Sequence, residues 1–129
     1  AVEETLRYDT AVTVATPRVA ASDMTLGGRV IPAGEKVYAV LGAANRDPAQ
    51  FTDPNRFDIT RTENRHLSFA AGAHFCLGAH LGRQEAQEAF NLLVTEYPAL
   101  GEAADLDSLE WQDSFPHRGL LTLPVAWRR

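Results

Sequence analysis

Cys76 is the only cysteine in the chain, and small residues crowd it: Ala70, Ala71, Gly72 and Ala73 come before, Gly78 and Ala79 after. Such residues let a backbone approach a flat ligand with little side-chain obstruction. An apolar stripe at helical spacing, Leu81, Ala86, Phe90, Leu93 and Val94, predicts a helix from Ala79 to about Tyr97, so the cysteine stands just before a helix start. Free N–H groups and the positive end of the helix dipole favour an anion there, and thiolate is the form of cysteine that binds a metal. Two other uses of the same residues stand beside this one. A lone cysteine in an intracellular protein is commonly a small buried hydrophobe. His74, Cys76 and His80 could also hold zinc, but His-x-Cys-x-x-x-His matches no common structural zinc pattern and no second ligand cluster accompanies it.

Phe69, Gly72, His74, Cys76 and Gly78 fall on an aromatic-x-x-Gly-x-basic-x-Cys-x-Gly pattern that resembles the haem-binding loop of the cytochrome P450 family. The resemblance implies that Cys76 is the proximal thiolate ligand of haem b (iron protoporphyrin IX). It implies further that His74 contacts a propionate, and that Phe69, Gly72 and Gly78 belong to the cofactor-binding loop. A thiolate in that position pushes electron density toward bound oxygen. Two positions depart from the usual pattern. Ala70 stands where many members have glycine, which costs about 1–2 kcal/mol if the site needs a positive φ. Gly82 stands where many have alanine, at a cost of about 1 kcal/mol in helix propensity.

The elements that must position this loop are read in chain order. Ala1 to about Asp9 is a short helix, or the last turns of a longer one, and its lack of a cap suggests a chain cut inside a helix. Glu4 and Arg7, three apart, share a face of it. Taken alone they form an ordinary solvated ion pair. Beside the cysteine loop they resemble the family's Glu-x-x-Arg motif, which implies a buried structural pair joined by a later arginine, here Arg56. Val12 to Val19 alternates like a strand broken at Pro17. The resemblance makes Arg18 the partner of a haem propionate and places Val12 and Val14 near the substrate pocket.

Met24 to Leu41 predicts a strand meander with turns at Gly27-Gly28 and at Pro32 to Glu35, followed by a helical stretch over Ala43 to Arg46. The Asx- and proline-rich segment after it, containing Asp47-Pro48 and Asp53-Pro54, predicts an irregular connection. His66 has no assigned task and is read as exposed or locally bonded. Arg83, seven residues after Cys76, projects from the ligand-loop side of the helix and is by resemblance a contact for an acidic ferredoxin. The helix must stop by Pro98. Gly101 to Asp107 reads as an acidic loop, and Leu109 to Gln112 with Gly119 to Trp127 as a terminal hairpin whose turn, Pro116 to Arg118, matches a loop reaching the substrate pocket.

Composition fits one soluble globular domain. A net charge of −5 argues against nucleic acid as a partner. No apolar run approaches the roughly 20 residues of a membrane span, and the first residues do not resemble a signal peptide, so a cytoplasmic location is the default. The expected class is α+β: the C-terminal part of the cytochrome P450 fold, residues 1–129, with the N-terminal portion absent. Soluble bacterial members are the most similar in style. The implied function is haem-thiolate monooxygenation of a small organic substrate with O2 and electrons from a ferredoxin-type partner, in which this chain alone is incomplete and inactive. The competing expectation is a haem-free folded fragment that self-associates through its exposed apolar face. A haem carrier or sensor using the same cysteine is a third.

Overall fold

In a computed structural model, residues 1–127 are described. The order is helix α1 (Val2–Tyr8), strands β1 (Arg18–Val19), β2 (Met24–Leu26), β3 (Arg29–Ile31) and β4 (Lys36–Val37), helices α2 (Leu41–Ala44) and α3 (Ala79–Glu96), then strands β5 (Gly101–Glu102) and β6 (Val125–Ala126). Single 3-10 turns lie at Gly72–His74 and Leu106–Ser108.

The strands form one interrupted ribbon and one small closing pair. β2 and β3 are antiparallel about Gly27 and Gly28, whose φ values of 55° and 77° are those of a two-residue hairpin turn. β1 and β4 pair behind them, Arg18 opposite Val37, and the ribbon continues through the Val14–Val40 bridge. The predicted Val12–Val19 and Lys36–Leu41 strands are therefore shorter than expected. Pro17 has no N–H to give to a ladder, which leaves isolated bridges at Val12 and Val14 and a strand of only two residues after it. The terminal hairpin is likewise reduced. Trp111 and Leu120 make a single bridge, flanked by Gln112 N–H to Gly119 O and Leu121 N–H to Glu110 O. The later residues Val125–Ala126 pair instead with Gly101–Glu102, inside the segment read as an acidic loop.

α3 occupies the predicted span and ends before Pro98. α2 starts two residues earlier than expected, at Leu41. What holds these pieces together is unusually polar. Val14, Ala20, Leu41, Phe51 and Ala79 are the buried apolar residues, whereas the largest fully buried side chains are Arg7 and Asn45. The apolar stripe of α3 is not covered: Leu81, Phe90, Leu93 and Val94 are all exposed. Among the described residues no helix is long and apolar enough to cross a membrane.

Candidate functional site around Cys76

The cysteine loop is folded by its own backbone. Leu67 O accepts from Ala70 N–H, Gly72 O from Phe75 N–H, and Phe69 O from Cys76 N–H at 2.9 Å. Two consecutive reversals are needed to bring Cys76 back to Phe69, and both use positive φ: 58° at Ala70 and 71° at Gly72. The departure at position 70 is thus a strained alanine, since an L side chain there crowds the following carbonyl. At Gly82 a methyl group would meet only the Phe69 Cζ atom at 4.0 Å, an ordinary contact, so the glycine is not required by space.

Cys76 is exposed, and it opens into a groove of about 640 Å³ that it shares with Arg18, His74, Phe69, Val12 and Ala70. The lining is mainly apolar with basic side chains among it, and the volume lies in the range of small-molecule sites, roughly 300–1,000 Å³. Arg18 and His74 also line an adjoining recess with Ala71 and Leu67. Val12 borders both the cysteine groove and a second apolar groove, where Val14, Tyr38, Phe115 and His117 are found. That second groove is closed by the terminal turn, because Val12 bridges His117 and Pro116 O accepts from Thr13 N–H. Among the described residues, no three His, Cys, Asp or Glu side chains converge as a metal site.

Behind the loop lies a buried ionic cluster. Glu4 and Arg7 face each other as a forked pair, Nε to Oε2 at 2.8 Å and Nη2 to Oε1 at 2.7 Å. Arg7 donates its remaining N–H groups to the carbonyls of Asn45, Pro54 and Arg56, so all five guanidinium donors are satisfied. Its hydrogen bonds outweigh the penalty of burial and hold the Glu4 carboxyl at a pKa of about 2, helped by the Asp58 N–H and the charges of Arg7 and Arg61.

Arg56 corrects the sequence expectation. Its side chain is 71% exposed and faces Asp58 at 4.0 Å, and only its carbonyl reaches Arg7. The second guanidinium at Glu4 is that of Arg61, 3.3 Å away and nearly buried. The physical reason is the tight turn at Asp53–Arg56, which turns the Arg56 carbonyl inward and leaves its side chain outside. Asn64 Nδ2 completes the shell on Glu4 at 3.2 Å.

Sequence reasoning also missed Asn45. Fully buried, it donates to Thr10 Oγ1 and Ser68 Oγ and accepts from Leu67 N–H, tying α1 and the end of α2 to the start of the cysteine loop. Arg83, the candidate donor contact, is partly exposed, and its guanidinium is 2.8 Å from Glu3 and 4.6 Å from the Phe69 ring centroid. His66, expected to be exposed or locally bonded, is nearly buried and bonds both Ser68 N–H nearby and the distant Glu3, at 2.9 Å.

The fold sets the class first. The chain superposes with TM-score 0.95 on the tirandamycin C-bound P450 monooxygenase TamI, at 43% identity, covering 98% of this chain and 32% of that one. The cytochrome P450 family model matches residues 1–118, and the chain belongs to that family. It is 50% identical over 125 residues to cytochrome P450 107B1 of Saccharopolyspora erythraea, a match covering 97% of this chain and 31% of that protein. To the cytochrome P450 monooxygenase PikC of Streptomyces venezuelae it is 46% identical, covering 100% of this chain and 31% of the relative. The chain therefore spans about a third of the length of the curated relatives it matches. Membership implies a haem cofactor of the thiolate-ligated kind.

Proposed function

We propose that residues 1–129 are the C-terminal, haem-ligand portion of a cytoplasmic P450 monooxygenase acting on a small organic substrate, and that Cys76 is the proximal ligand of haem b. The observation that carries this reading is the exposed Cys76 thiol opening into the same apolar groove as Arg18 and His74. The residues present fit the group. One soft sulfur donor faces a slot lined by small residues, and a guanidinium and an imidazole in its lining suit two carboxylates. When bound, haem supplies the redox-active iron by which the family activates O2.

The chain's own contributions are distinct. Cys76 ligates as thiolate, and its backbone N–H, donated to Phe69 O, fixes where the sulfur stands. Arg18 and His74 orient the propionates. Glu4, Arg7 and Arg61 hold the meander behind the loop, with Arg56 supplying a carbonyl. Val12 and Val14 form part of an apolar wall that excludes water from the substrate side. Electrons come from a ferredoxin-type donor. Arg83, its guanidinium held by Glu3 and against Phe69 with part of the side chain exposed, is a contact for it.

A second reading is favoured by one specific observation, the uncovered apolar face of α3. In it the chain alone folds without haem, has no catalytic activity and self-associates. Titrating haem into the chain and into Cys76→Ala separates the two: the first reading expects tight binding that the substitution weakens, and equal binding by both chains overturns the ligand assignment.

A further inference from the structure

Glu3, His66 and Arg83 form a second polar cluster that shares no hydrogen bond with the Glu4 pair and none of whose members lines Cys76's groove. Arg83 donates through Nε to Glu3 Oε1 at 2.8 Å and through Nη2 to Oε2 at 3.1 Å, a forked contact that joins α3 to α1. His66 contributes a defined tautomer. Its Nδ1 accepts from Ser68 N–H at 3.2 Å, so the ring proton is on Nε2 and is donated to Glu3 Oε2 at 2.9 Å. Both cationic or donating groups then meet the same aromatic ring. The Arg83 guanidinium lies 4.6 Å from the Phe69 centroid, and the His66 ring lies 6.2 Å away, tilted at 49°. The backbone carbonyl of Phe69, in turn, accepts the Cys76 N–H at 2.9 Å.

We propose that Glu3 is a positioning residue for the thiolate: by holding Arg83 and His66 against Phe69 it fixes the backbone of Cys76 and the direction of its sulfur. The inference rests on the haem-ligand reading only for its haem-bound readout. Glu3 is one residue from Glu4 but turned toward α3, so the two carboxylates serve different parts of the site. Glu4 braces the meander, and Glu3 braces the ligand loop.

The test compares the unsubstituted chain with Glu3→Gln and with Arg83→Lys, which keeps the charge beside Glu3 but removes the planar face over Phe69. In the haem-free chain, amide exchange at Cys76 is expected to rise about fivefold or more in both variants. Exchange at Ala15 and Ala20, bonded to Ala39 and Glu35 in the ribbon, should stay unchanged. With haem bound, the Soret band of the reduced carbon monoxide complex should shift in both variants. A uniform rise in exchange across the chain, or no change at Cys76, overturns the proposal. Failure of the unsubstituted chain to give a thiolate-type band would instead sink the haem-ligand reading, with the exchange data still deciding the role of Glu3.

Discussion

Arg7 carries more of the structure than any apolar side chain near it. It is fully buried, its five donors are all used, and its charge is balanced by the Glu4 carboxylate. Removing half of such a pair leaves a buried charge uncompensated, so Glu4→Gln is expected to destabilise the chain by about 3–5 kcal/mol in urea unfolding at neutral pH. The same carboxyl gives a pH signature. Its folded pKa of about 2 lies below the ordinary value of 4.5, so the unfolded chain takes up the proton first as pH falls. The contribution, up to about 3 kcal/mol, is complete above pH 4.5 and disappears as pH drops through 2; Glu4→Gln should flatten stability across that window. Ala70 offers the opposite kind of change. At φ 58° glycine relieves the strain, offset in part by its greater freedom when unfolded, so Ala70→Gly should raise the unfolding midpoint, by about 0.5–1 kcal/mol in stability.

At the scale of elements, legibility followed sequence distance. α3 was readable because its apolar repeat is local and Pro98 ends it, and α1 because it is a local run of helix formers. The positive φ at position 70 was also legible, from the residue type missing there. The strands were legible as turns more than as ladders, since two- and three-residue strands carry little alternation to read. Asn45 could not be read at all. Its side-chain partners lie 22 to 35 residues away, and nothing in an Ala-Asn-Arg-Asp run signals full burial. Arg61 was missed in favour of Arg56 because motif spacing identifies a residue, whereas the turn at Asp53–Arg56 decides which side chain points inward. Asn45→Ala orphans the Leu67 N–H and removes two bonds to Thr10 and Ser68; we expect a loss of about 2–3 kcal/mol, measured by thermal or urea unfolding, and loosening of the loop's first residues.

The whole molecule is organised around polar ties and leaves its largest apolar surfaces open. Leu77, beside Cys76, is 100% exposed, and Leu92 and Val94 on α3 are more than half exposed. A face of that kind calls for a cover. In isolation the chain should therefore associate in a concentration-dependent way in sedimentation velocity, and Leu92→Glu with Val94→Glu should return it toward monomer. A monomer at all concentrations without those substitutions would contradict this view of α3. The central claim, however, concerns one sulfur atom. Its most direct test is the absorption spectrum of the chain after haem addition, reduction and exposure to carbon monoxide, recorded beside that of Cys76→Ala. A strongly red-shifted Soret band in the unsubstituted chain that vanishes in Cys76→Ala is the predicted result; no such band, or the same band in both, would contradict the assignment of Cys76 as the thiolate ligand.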